Sequence, residues 1–363
     1  MFLRIVAGLL MLLALLWAVL YAVETAALKR EQEQPWPFGI GSMNEAAART
    51  RPKASPEAQR IANLVDALDL DEVEPGKYIA AQTAKHNDAI DPPPKEATVP
   101  GHEAQLAELV RVTLSEGERA VWNYDLFEVG DAAELLAAAA LEHARKGEGA
   151  AAWDNLHAMW ILTRSREQRL FLERRANAVA RMLPAPVPPW TAELAAINPR
   201  RDAAAQIQDE AMSSVRWHPP ARGPFLVIEW LFRPLRIHYD ASQARHARLA
   251  AATMTSSPRC RIDTAALDAQ SDGPLSPTVA DIYRAARIEA ELEATAKVLA
   301  LKNERARLGR WPETLPDAGA SRCASNHWIY EVAPDGSSMK LRMSWEVAPE
   351  PEAKLAPALQ FAY

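Results

Sequence analysis

Two cysteines, eight histidines and fourteen glycines are few for a chain of 363 residues. With two cysteines there is no disulfide framework and no C-x-x-C pair, so Cys260 and Cys323 can make at most one bond within the chain. H-E-x-x-H, G-x-S-x-G and the P-loop pattern are also missing. That removes the zincin, α/β-hydrolase and P-loop readings, though not catalysis as such. The Gly39-x-Gly41 pair lacks the third glycine and the flanking strand and helix of a dinucleotide loop, so no cofactor is expected. Basic side chains are outnumbered, 41 against 47 acidic, for a net charge of −6. A chain of that sign has no general attraction for phosphate backbones, and nucleic acid is not an expected partner.

One long apolar run stands out against these absences. From Ile5 to Val23 there is no charged or strongly polar residue. At 1.5 Å per residue the run makes a helix of about 28 Å, close to the ~30 Å hydrocarbon core of a bilayer. Trp17 and Tyr21 lie toward its outer end, where amphipathic rings favour the interface. The run is longer than a signal-peptide core and no small-residue cleavage site follows it, so it reads as an uncleaved anchor. Arg4 and the amino terminus balance Lys29 and Arg30, and the very short leading tail places the bulk of the chain outside the cytoplasm. The expected partner is the lipid bilayer, met through Ile5–Val23, with another envelope protein as a second.

Beyond the anchor the chain is punctuated by proline-rich loops separating helical patterns. Residues 24–54 read as a stalk, 55–270 as an α-helical domain, 271–348 as a long helix plus a β-hairpin, and 349–363 as a tail. Ser55 and Pro56 form a helix start, with Ile61, Leu64, Val65 and Leu68 as its apolar stripe. The block 131–183 gives a helix, a Gly-Glu-Gly turn and two more helices. Around residues 225–237, FLVIEWLFRPLRI is intensely apolar but too short to span a bilayer. It is expected to be a core helix interrupted at Pro234, with a membrane-surface contact as the alternative because Arg233 and Arg236 flank it. The longest helix runs from Pro277 to Leu308, with Ser276 as cap, Gly309 past its end and Ile282, Ala285, Ile288, Leu292, Ala296 and Leu299 as its stripe. Two alternating runs follow, Trp328–Val332 and Met339–Val347, joined by Pro334-Asp335-Gly336-Ser337. They form a hairpin with one apolar face, which must cover something, most simply the long helix before it. The fold class is therefore mainly α, with an N-terminal transmembrane helix, a helical hairpin or bundle ectodomain and a small C-terminal antiparallel β-hairpin.

Few side chains suggest chemistry. His238, Asp240 and His246 resemble a metal set, but residues two apart on a helix point about 200° apart, so they read as polar surface. Asp69, Asp71, Glu72 and Glu74 read as a solvated helix end, since a glycosidase would need carboxylates facing across a cleft. Arg164, Arg166, Arg169, Arg174, Arg175 and Arg181, interleaved with Glu167 and Glu173, read as an ion-paired solvated face. The sharper alternative is a contact for an anionic polymer or lipid headgroup. The tryptophans read mainly as core, Trp153, Trp160 and Trp230 among them. A bond between Cys260 and Cys323 would close a loop of about 64 residues, worth about 4 kcal/mol in the chain-entropy model. The alternatives are two buried thiols or a reactive one. His327, four residues from Cys323, reads as a hairpin-edge residue, and the tail as a structural clasp.

Three resemblances accompany these readings. The Ala/Leu pattern on both sides of the Gly-Glu-Gly turn is similar to one tetratricopeptide-type hairpin, without a repeat. The helix ending in LGRWPETL, followed by a hairpin carrying W-I-Y and D-G, resembles the C-terminal half of type II secretion pseudopilins over about residues 283–347. That resemblance implies a sheet packed on a helix and not the pseudopilin function, because those proteins run their membrane helix directly into the long helix. The whole chain is similar to single-anchor, Ala/Arg-rich bacterial envelope proteins of no assigned activity. The anchor, the helical hairpins and the absent motifs suggest a non-enzymatic interaction or scaffold protein of the inner membrane with its bulk in the periplasm, the alternative being an envelope hydrolase with a site between helices.

Overall fold

The computed structural model describes residues 2–48, 54–70, 73–85, 89–98, 101–121, 129–163, 169–216, 225–261, 276–315, 319–323, 327–344 and 360–363. The helices are α1 Phe2–Glu33, α2 Met43–Ala48, α3 Pro56–Asp66, α4 Pro75–Thr83, α5 Glu103–Glu116, α6 Val129–Arg145, α7 Gly149–Thr163, α8 Arg169–Met182, α9 Pro199–Arg216, α10 Phe225–Ser256 and α11 Ser276–Leu308. The strands are β1 Pro35–Trp36, β2 Gly41–Ser42, β3 Trp328–Val332, β4 Met339–Met343 and β5 Gln360–Ala362. Contacts divide the chain into two compact units, each assembled from separated segments.

The first unit comprises residues 1–50, 200–257 and 262–282. Its α1 is one helix long and apolar enough to cross a membrane. Ile5, Leu10, Leu12 and Leu16 on it are all more than half exposed. Of the stretch that reads as a stalk, residues 24–48 carry regular structure: α1 continues to Glu33, and β1 and β2 pair antiparallel with Trp36 buried. Ser42 and Glu45 then form a reciprocal cap for α2. The Ser42 Oγ accepts from the Glu45 N–H at 3.1 Å, and the Glu45 carboxylate from the Ser42 N–H at 2.9 Å. The buried side of α10 is a row of small residues, Ala241, Ala244, Ala247 and Ala251, which lets helices approach closely. Along it α1 packs.

The second unit comprises residues 51–199, 258–261 and 283–363. Ser55 caps α3 as its sequence implies: its Oγ accepts from the Ala58 N–H at 3.3 Å, with Pro56 in the first turn. The hairpin of α6 and α7 turns at Gly147, whose φ of +79° suits a residue without a Cβ. The inner side of α6 is Ala- and Leu-rich, that of α7 carries larger side chains such as Trp153, Met159 and Trp160, and α8 packs across the pair. Trp153 and Trp160 are buried there, and each indole N–H is satisfied, by the Pro184 carbonyl at 2.8 Å and the Glu193 carboxylate at 3.2 Å.

A second core lies between α11 and the C-terminal sheet. Ala290, Ala294, Val298 and Leu301 of α11 meet Trp328, Met339, Leu341, Met343 and Phe361. The β3–β4 register pairs Trp328 with Met343 and Tyr330 with Leu341, so alternate residues face the helix. Leu341 is fully buried, which contributes about 2 kcal/mol. The sheet has a third strand beyond the expected hairpin: β5, from the segment read as a tail, pairs with β4 through Leu341 and Phe361. Trp345 and Val347, expected on the same face, lie outside the described residues. Gly309 ends α11 with φ +72° and donates its N–H to the Arg305 carbonyl at 2.8 Å. On the predicted stripe of α11, Ala296 departs from the others and is exposed, because that turn borders a cleft.

Candidate functional site

Four-residue spacing on α11 puts Glu289, Glu293 and Lys297 on one side of the helix, where i, i+4 positions are neighbours. They line a cleft of about 530 Å³ with Asn198, Arg259, Cys260 and Arg322, floored by Ala296 and Ala300. Two chain segments are held against this side. Cys260 sits in the left-handed region at φ +61°, a conformation that costs a non-glycine residue energy. Its N–H donates to the Glu289 carboxylate at 2.7 Å. Glu293 takes the other segment: it accepts from the Ser321 hydroxyl at 3.0 Å, the Arg322 N–H at 3.1 Å and the Trp328 indole N–H at 3.0 Å.

Between the two segments Cys260 and Cys323 are joined by a disulfide, their Cα atoms 5.3 Å apart. Both cysteines are buried, at 2% and 1% exposure. The bond and the two carboxylates therefore act together, docking residues 258–261 and 319–323 onto the same turns of α11. Both carboxylates of the cleft are engaged by main-chain and indole donors, which hold them as fixed acceptors. His327 lies on the hairpin edge, its N–H donating to the Ser344 hydroxyl at 3.0 Å.

A buried ionic cluster lies elsewhere in the same unit. Glu291 of α11 accepts from Arg174 at 3.0 and 3.1 Å and from Arg287 at 2.9 Å. Arg181 donates to the Glu291 carbonyl at 3.4 Å and to the Thr295 hydroxyl at 2.8 Å, and stacks over Phe361 with 4.5 Å to the ring centroid. Burial alone would raise the Glu291 carboxyl, but Arg174, Arg181 and Arg287 together hold it below its ordinary value. Burial pulls the Arg181 guanidinium down from its ordinary value, against the opposing pull of Glu291. Lys302 completes the group by donating to the carbonyls of Arg181 and Leu183, both at 2.6 Å.

This corrects the reading of the arginine run as a solvated face. Arg181 is buried, Arg174 is partly exposed but directs its guanidinium to the buried Glu291, and Arg175 pairs with Glu134 at 3.0 Å with both side chains mostly covered. The physical reason is that one side of α8 is covered, so carboxylate partners reach Arg174 and Arg175 from α11 and α6. Residues 164–168, and the side chain of Arg169, lie outside the described residues. The signal that could have pointed here is on α11, where Arg287, Glu291, Thr295 and Lys302 share a side at helical spacing.

The remaining flagged groups stay apart. His238 bonds Glu24 at 3.0 Å, Asp240 is buried, and His246 contacts the Ser242 hydroxyl at 3.3 Å. Among the described residues no three His, Cys, Asp or Glu side chains converge as a metal site. Glu74 pairs with Lys77 on an exposed helix start, while Asp71 and Glu72 lie outside the described residues. No protein-family model, curated protein or solved structure matches the chain.

Proposed function

We propose that the protein is a single-pass envelope protein, held in the cytoplasmic membrane by Ile5–Val23, whose folded units stand on the extracytoplasmic side and serve an interaction or scaffold role. The observation that carries this reading is the bare apolar length of α1, which nothing in the described residues covers along Ile5–Leu16. The disulfide supports the compartment, since such bonds persist where thiols are not kept reduced. The state of the cleft supports the interaction role: Glu289 and Glu293 are held by the fold's own donors, which leaves helical faces as the surfaces to be met.

A membrane pull-down with the anchor intact, after photo-crosslinking from exposed positions such as Lys77 and Arg307, tests it. The expected result is a discrete adduct with another envelope protein. Absence of any adduct, together with hydrolytic turnover by the purified protein that Glu289→Gln abolishes, would establish the hydrolase alternative instead.

A further inference from the structure

Helices α1 and α10 lie side by side in the same direction. Trp17 stacks on Trp230 at 4.1 Å and donates its indole N–H to the Leu231 carbonyl at 3.1 Å. Arg233 covers the Tyr21 ring at 5.4 Å, His238 meets Glu24 at 3.0 Å, and Arg248 meets Glu31 at 3.0 Å. The numbers rise together, so the helices are parallel. The start of α10, five residues before Trp230, lies about 8 Å further toward the amino terminus of α1. That is about the level of Leu12, well within the apolar span that ends at Val23.

The side chains at that end are those of a lipid-facing helix. Ile228, Trp230, Leu231, Phe232 and Leu235 are 49–62% exposed, and Tyr239, one turn beyond them, is exposed as well. Outside α1 and this stretch, the exposed large apolar residues among those described are only Val121, Phe171 and Leu308. Exposed apolar surface is thus concentrated on two adjoining helices at one level, whereas scattered single residues would need no explanation. A 13-residue, mostly apolar stretch suggests a core helix only when nothing adjoins it. Here the neighbour is itself an apolar helix, and burial against it is on one side only.

The polar groups conform to the same environment. Glu229 pairs with Arg236 at 3.3 Å, so the carboxylate of this stretch has a cationic partner, and Arg233 lies over the Tyr21 ring. Helix α10 continues through Pro234, which has no N–H for the ladder. The carbonyl that loses its ladder donor is that of Trp230, four residues back, and the Trp17 indole N–H bonds the next carbonyl, Leu231, which ties α1 to the turn before the proline.

We infer that the first three turns of α10, about Phe225–Leu235, are inserted beside α1 in the leaflet nearer the folded units, so the attachment is a two-helix wedge with an aromatic collar of Trp17, Tyr21 and Trp230. The inference rests on α1 being a membrane span. The occupant of the exposed face is the acyl and headgroup region of that same bilayer, with which the apolar surface of α1 is continuous.

Nitroxide labels on single cysteines introduced at Ile228, Leu231, Phe232 and Tyr239 in the full chain, reconstituted in phosphatidylcholine–phosphatidylglycerol vesicles, test it. Leu13 in α1 and Lys77 in the second unit serve as references. Positions 228, 231 and 232 should collide with oxygen in preference to a nickel chelate, as position 13 does, while 239 moves toward the value at 77. Nickel access at 228–232 with position 13 still oxygen-rich would overturn the inference and leave the anchor standing. Nickel access at both would overturn the anchor itself. Exclusion of both reagents at 228–232 would show a second protein surface there, and would also overturn it.

Discussion

Glu291 is the residue where the polar interior of the second unit converges. Its carboxylate sits between Arg174 and Arg287, with Arg181 on its carbonyl side, and it is almost fully buried. Breaking such a cluster leaves uncompensated charge, so Glu291→Gln is expected to cost about 3–5 kcal/mol, read as a lowered urea midpoint in detergent. The pH dependence follows from its depressed carboxyl. The unfolded chain holds the proton more readily near the ordinary value of 4.5. The stabilisation from Glu291 is therefore complete above about that pH and is lost as pH falls through the folded value. The acid limb of the stability curve should be shallower in Glu291→Gln than in the native chain. Equal limbs would show that Glu291 is not the ionised hub of the cluster.

Element by element, what could be read along the chain was local. Ser55, Gly309 and the Pro-Asp-Gly turn announce ends and reversals through side-chain or φ requirements that act within a few residues. The alternation in β4 likewise forecasts its buried face, with Met339, Leu341 and Met343 inward. What could not be read was long-range. The partners of Arg174 and Arg181 lie more than 100 residues away on α11. The third strand comes from a segment with too short a pattern to register. Residues 42–45 did carry a legible signal, S-x-x-E, that a Pro/Gly-rich context obscured. The exposure of α10 depends on its neighbour, which periodicity within one helix does not encode.

The cleft is the element-scale device with the largest expected effect. Cys260 and Cys323 are 63 residues apart in sequence, so their bond removes about 4 kcal/mol of loop entropy from the unfolded chain. Replacing both with serine should lower unfolding stability by about that amount in guanidinium. Because Glu289 and Glu293 dock the same two segments independently, circular dichroism should show the helices retained. Loss of stability with no change on adding reductant to the native chain would contradict the contribution assigned to the bond.

At the scale of the whole molecule, one apolar helix and a folded region fastened by a disulfide fit attachment to one face of a membrane. The account stands or falls on which face. Lys77 begins an exposed turn of α4, its side chain 81% exposed, so Lys77→Cys leaves the core untouched. Labelling that variant in intact spheroplasts with a membrane-impermeant maleimide is the most direct test. The account predicts full modification before permeabilisation; modification only after the membrane is opened would contradict it.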